Sequence, residues 1–205
     1  MSASTPFTYV DSWQHLTAAD VAAVQAFWLR EDAHVEGAEA ARRAQQVVIR
    51  ALSPDGQLAA ITTVEPRLIP RLMQPMYYYR CFIGAVWRKN NTLRLRVLLQ
   101  KTFEVLEPWS RERDFPCIGV VLELENAGFE RPSLQRAYWS NRTHNGYSYI
   151  GRSARGLEMR VRYFMGARLK TDAQVVAMLR AAGVQAAPAA ATQASVASSG
   201  AAPSI

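Results

Sequence analysis

The stretch Tyr77-Tyr78-Tyr79-Arg80-Cys81-Phe82-Ile83-Gly84-Ala85-Val86, followed by Arg88-Lys89-Asn90-Asn91-Thr92, decides how this chain is read. Its first part is aromatic and β-rich with no helical period, and so predicts a strand. Tyr77 and Tyr79 then face one side of a sheet and Tyr78 the other. Beyond Thr92, Leu95, Leu98, Leu99, Phe103 and Leu106 recur at i, i+3, i+4, i+8 and i+11. That spacing lays one apolar stripe along a helix, which Pro108 is expected to close. A strand feeding a helix through a basic turn suits a phosphate, because free N–H groups and the helix dipole both favour an anion. The same five residues also read as a solvated turn whose Asn and Thr cap the helix.

Outward from this unit, Phe7 to Val10 predicts a short strand. Thr17 and Asp20 then form a capping-box pattern, with Leu16 placed to staple onto Val21. Val21, Val24 and Trp28 form a helical stripe, and a second helix is expected over Glu36 to Gln45. Val47 to Leu52 and Leu58 to Val64 flank Ser53-Pro54-Asp55-Gly56 and predict a hairpin. Glu65 to Pro75 carries three prolines and is expected to be a loop or an irregular edge. Phe115 to Leu124 predicts a strand, and Pro132 the start of a helix through Trp139. Asn145-Gly146 predicts a turn. Tyr147 to Arg152 and Leu157 to Phe164 read as two closing strands about the turn at Ala154-Arg155-Gly156.

The 205 residues suit one domain of ordinary size with a tail. No apolar run approaches the ~20 residues that span a bilayer, and the start lacks the pattern of a signal peptide, so a cytoplasmic location is expected without membrane association. Cys81 and Cys117 have no CxxC partner, and His15, His34 and His144 show no ligand spacing, so no metal is expected. A net charge of +7 favours anionic partners. The arginines are scattered, with clusters only at Arg88 to Arg96 and Arg152 to Arg162, and read mostly as a basic surface. Zinc-finger spacing, an RRM signature and a basic helix are all absent, so nucleic acid is not an expected partner.

The order strand, two helices, hairpin, long strand, helix, strand, helix and two closing strands resembles the GNAT superfamily of acyl-CoA-dependent N-acyltransferases over about residues 7 to 165. Ile83-Gly84-Ala85-Val86, the basic turn and Val97-Leu98-Leu99 resemble that family's central strand, pyrophosphate loop and following helix. Ile118 to Leu124 is similar to its fifth strand, and Asn145-Gly146-Tyr147 to the step that opens its sixth. The resemblance implies an α+β fold with a mixed, mostly antiparallel central sheet flanked by helices over residues 1–170. A short terminal helix at 171–182 and a disordered Ala/Ser/Pro tail at 183–205 are expected to follow.

The same resemblance implies acyl transfer from acetyl-CoA or another acyl-CoA to a primary amine, borne by a small molecule or a protein. Its central strand splays from the next to receive the pantetheine arm. Its cofactor contacts would fall on Gly84, Ala85, Val86, Arg88, Lys89, Asn90, Asn91 and Thr92. This chain departs from the family's glycine-bearing phosphate loop: Asn90 falls at its Arg/Gln position, and Leu93 and Leu95 at its two glycines. That departure leaves open a non-catalytic relative that binds another ligand or a protein partner, or a donor such as an acyl-carrier protein. A homodimer is also open. Tyr138, on the helix expected after the fifth strand, is the candidate acid for the departing thiolate. Glu123 and Glu125, with Glu65 further off, are candidate bases for the ammonium proton. Each also reads as an ordinary packing or solvated residue.

Overall fold

The structure is a computed structural model that describes residues 7–33, 35–89, 93–125, 138–139 and 146–181. Two compact units divide after Lys170. In the first, β1 (Thr8–Asp11) leads to α1 (Ala18–Arg30) and α2 (Gly37–Ala44), followed by β2 (Val47–Leu52), β3 (Leu58–Ile69) and β4 (Gln74–Ile83). A short α3 (Ala85–Lys89) precedes α4 (Leu95–Arg111), and β5 (Gly119–Leu124), β6 (Tyr138–Trp139), β7 (Tyr147–Arg152) and β8 (Glu158–Tyr163) complete it. The second unit is described only for α5 (Asp172–Ala181), whose start is capped by reciprocal bonds between Thr171 and Gln174. The expected tail lies outside the described residues.

The strands form one sheet in the order β1-β2-β3-β4-β5-β8-β7-β6, antiparallel except for the parallel pair β4–β5. This is the mixed, mostly antiparallel sheet flanked by helices that the GNAT resemblance implies. Local sequence explains much of it. Thr17 caps α1 as half of a complete capping box with Asp20. Along β4 the alternation holds: Tyr77 and Tyr79 pack with Leu98, Leu99, Phe103 and Leu106 of α4, whereas Tyr78 packs with Val121 and Val161. The opposite face near β2 and β3 is covered by Val24, Phe27 and Trp28 of α1 and Ala40 and Ala44 of α2. A buried hydroxyl pair, Thr62 Oγ1 to Thr102 Oγ1 at 2.8 Å, fastens α4 to β3.

Several expectations are corrected. Glu65 to Pro75 is not a loop: β3 continues to Ile69, and a tight turn at Pro70 to Met73 delivers the chain into β4. The prolines fit because of parity. Pro75 faces Leu68 in the ladder, yet its carbonyl accepts from the Ile118 N–H at 3.0 Å, so its main chain turns away from β3. Pro66, opposite Tyr77, has the same parity and turns away from β4, on a side where β2 pairing has already ended at Thr63. No ladder bond is lost at either proline.

Pro108 does not close α4, which runs on to Arg111; burial of Ser110 and packing of Trp109 against Trp13 hold the extra turn. The strand after the tyrosines ends at Ile83 rather than Val86, because Ala85 already begins α3. Tyr138 lies in β6, not on a helix: Tyr138 pairs with Ser148 and Trp139 with Tyr147. Aromatic residues are enriched in strands, and the pairing with β7 outweighs the helix start expected at Pro132, which itself lies outside the described residues. The arginines are not all superficial either. Arg160 is fully buried on β8 with Glu158, 3.1 Å away.

Candidate active site

Among the described residues the sheet opens between β4 and β5. β4 and β5 pair only at Tyr77↔Val120, Tyr78↔Val121 and Tyr79↔Leu122. β4 then continues to Ile83 beside β3, and β5 to Leu124 beside β8, without further pairing to each other. The result is a fork whose base is the Tyr79–Leu122 pair.

Parity says what lines it. The Gly84 N–H donates to the Ala59 carbonyl at 2.9 Å, so even-numbered residues of β4 turn their main chain toward β3. Odd-numbered residues turn theirs toward β5, as the Pro75 carbonyl does. Cys81 and Ile83 therefore present main-chain N–H and C=O groups to the open gap. An extended chain carrying amides can add there as a strand does.

Side chains sort by face. Tyr79 is buried in the core on the α4 face and Cys81 is half-buried beside it, and desolvation raises both: the phenol far above its ordinary range and the thiol to about 12. Arg80 and Glu123 are the first residues past the fork base, and both lie on the α1/α2 face. Had the strands stayed paired they would have been cross-strand neighbours. Instead Glu123 is held by Arg155 of the β7–β8 turn, whose Nε lies 2.9 Å away, and Arg155 also reaches Glu125 at 3.2 Å. These contacts, led by the bond to Glu123, raise Arg155 above the usual arginine range. Arg155 donates to the Tyr78 hydroxyl at 3.4 Å as well. Burial and the Glu123 charge lift the Tyr78 phenol, so it stays protonated.

The fork brings some of the expected site residues together. Glu123 is at its mouth and mostly buried; Glu125 follows at 73% side-chain exposure. Gly84 and Ala85 close the β4 end, but their amides are engaged. Gly84 donates to Ala59, and Ala85 donates to the Glu31 carboxylate at 2.8 Å. A side chain at Gly84 would press on that carboxylate, 3.1 Å away. Val86, Arg88 and Lys89 are exposed on α3. Asn90, Asn91 and Thr92 lie outside the described residues. Leu93 is 3% exposed and inserts into the α4-side core, with Leu95 packed against the same cluster. Glu65 is committed to Arg42 and Arg67; burial pushes its carboxyl up, but those bonds prevail and leave it lowered.

Tyr138 is not brought to the fork by its strand, since β6 stands three strands beyond β5, roughly 14 Å across the sheet at ordinary spacing. A cavity of about 270 Å³ lies elsewhere, lined by Glu107, Ser148, Arg162 and Met165 among others. Among the described residues no group of three His, Cys, Asp or Glu side chains is arranged to hold a metal ion, and no helix is long and apolar enough to cross a membrane.

Two residues of the site were not singled out in the sequence. Glu31 ends α1, 54 residues from its bond at Ala85. Arg155 looked like a turn residue, yet antiparallel pairing of β5 with β8 carries that turn past the end of β5. Strand register reveals Arg155, and the placement of the end of α1 beside the start of α3 reveals Glu31.

No family model and no curated protein matches the chain. Among solved structures, similarity extends to the ribosomal-protein-S18-alanine N-acetyltransferase from Escherichia coli, at 13% identity over 82% of this chain and 98% of that one, TM-score 0.40. A GNAT-family acetyltransferase from Staphylococcus aureus Mu50 shows 10% identity over 77% and 99%, TM-score 0.45. One from Listeria monocytogenes shows 13% identity over 77% and 95%, TM-score 0.43. At these scores the likeness adds nothing to what the strand order states by itself.

Proposed function

We propose that this chain is an N-acyltransferase of the GNAT type, moving an acyl group from acyl-CoA to a primary amine at the β4–β5 fork. The observation that supports it is the end of strand pairing at Tyr79–Leu122, which turns the main chain of Cys81 and Ile83 toward an open gap. Those groups suit the amides of a pantetheine arm, and Leu93, buried in the core, does not compete for the gap. Acyl-CoA held there supplies the activated thioester. Glu123, at the gap mouth with its carboxylate oriented by Arg155, accepts the ammonium proton directly or through water. The free amine then attacks the thioester carbonyl, the C–S bond breaks, and the departing CoA thiolate takes the amine's second proton by way of solvent. Positioning of the two reactants provides most of the rate. The strand order leaves Tyr138 out of this reading.

A second reading concerns the donor. With the Ala85 amide taken by Glu31 and leucines at the family's glycine positions, this end of the site suits a donor that engages it through the pantetheine arm alone, as an acyl-carrier protein does. The experiment is a comparison of acetyl-CoA with acetyl-pantetheine: thermal stabilisation of the protein, and release of free thiol with a panel of amines. Stabilisation and thiol release with either donor sustain the acyltransferase reading. No response to both ends it. Equal response to both favours the carrier-protein donor.

A further inference from the structure

The α1/α2 face of the sheet beside the fork holds more guanidinium than carboxylate. Arg42 and Arg43 of α2, Arg67 of β3 and Arg80 of β4 gather there with Glu39 and Glu65. Both carboxylates are already engaged. Arg42 lies 2.8 Å from each, Arg43 lies 3.4 Å from Glu39, and Arg67 Nε lies 2.8 Å from the second oxygen of Glu65. Arg80 makes no ion pair among the described residues. Its guanidinium stands over the Tyr78 ring at 5.1 Å, with that of Arg67 over the same ring at 4.3 Å. The carboxylate that continued pairing would have set beside it, Glu123, belongs to Arg155.

The register brings Arg80 toward Arg43. Arg80 pairs with Thr63 and Thr63 with Val47, and Val47 packs against Ala40 and Ala44 of α2. Burial, and next the charge of Arg80, hold Arg43 below the ordinary arginine range, and the Glu39 carboxylate, which feels both arginines, offsets only part of that effect. Two half-buried cations of like sign repel, and an anion between them removes that repulsion while gaining charge-assisted hydrogen bonds.

We propose that Arg80 and Arg43 bind an anionic group, a carboxylate or a phosphate, carried by the amine acceptor. The substrate class is then amines that bear a negative charge. This rests on the acyltransferase reading for the acceptor's position, whereas the anion site itself stands on the arrangement of charges. Glu123 and Arg80, at the two lips of the fork on one face, divide the acceptor between them. One takes the proton from its amine and the other holds its anion.

The test uses the full chain with Arg80→Gln and Arg43→Gln, and with Arg113→Gln as a charge-matched control at an exposed site. Calorimetry at fixed ionic strength follows binding of inorganic phosphate and of glutarate, which separates the two anion chemistries. Expected is saturable binding of one or both probes, weakened about tenfold or more by each site substitution and unchanged by the control. Thiol release from acetyl-CoA is expected to be faster with carboxylate- or phosphate-bearing amines than with uncharged ones of equal size. Circular dichroism checks that the Arg80→Gln protein is folded; if it is not, Arg43→Gln, on the outer helix, carries the comparison. Saturable, arginine-dependent anion binding without turnover of any amine sustains the anion site and overturns the acyltransferase reading alone. Absence of saturable binding, binding that both substitutions leave intact, or uncharged amines acylated as fast as charged ones overturns this proposal.

Discussion

Pro75 and Ile83 occupy equivalent positions on β4: each turns its main chain away from β3, Pro75 toward a paired stretch of β5 and Ile83 toward the open fork. A proline at position 83 therefore deletes an N–H that faces the gap and spares the β3 ladder. Ile83→Pro is expected to weaken acyl-CoA binding about fivefold, the worth of one net hydrogen bond of about 1 kcal/mol. Titration by thermal shift measures it, and an undiminished shift would remove the fork from the binding site.

Glu123 and Glu125 share Arg155 but not their surroundings. Glu123→Gln is expected to lower amine acylation by about 100-fold while acyl-CoA binding persists, since a positioned base contributes on that order. Glu125→Gln, at an exposed position, is expected to change little. Equal losses from the two substitutions would argue against a base at 123.

Leu93 tests the departure from the family's loop. If the position were part of a phosphate cradle, Leu93→Gly would improve cofactor binding. The buried side chain predicts instead a loss of about 3 kcal/mol or more in stability, from the cavity left in the α4-side core. Denaturant melts of the two proteins decide between these outcomes.

The capping box links stability to pH. Bonds from Thr17, main chain first and side chain second, hold Asp20 below the usual carboxylate range, with Arg50 adding to them. A lowered folded-state value means that this stabilisation is present above the unfolded carboxylate range and fades as pH falls below about 4. Thr17→Ala is expected to cost about 1 kcal/mol at neutral pH and progressively less on acidification. Melting temperatures across that range check the sign, and a cost that grows with acid would refute it.

Much of the fold was legible because local chemistry and tertiary structure agree. The capping box at Thr17, the turn at Ser53 to Gly56, the alternation of Tyr77, Tyr78 and Tyr79 and the stripe from Leu95 to Leu106 all stand as read. What escaped depends on partners far along the chain. Pro66 and Pro75 looked like strand breakers until the ladder showed that neither owed a bond. Pro108 looked like a stop until Trp109 found Trp13. The fork was expected only from the family resemblance. The arginine excess beside it was not legible, because α2 and two strand registers, rather than sequence, place Arg43 and Arg80 on the same face.

Gly119 marks the opposite extreme of the same strand. A Cβ there would lie 2.8 Å from the Tyr163 Cα and closer still to the Arg162 carbonyl, so β5 enters the sheet with no clearance at all against β8. Four residues on, at Glu123, it has parted company with β4. Randomising residues 119–125 should thus return glycine at the first position while tolerating wide variety at Glu125. Specificity can be retuned at the Arg80 lip without disturbing the clamp that keeps the two strands apart.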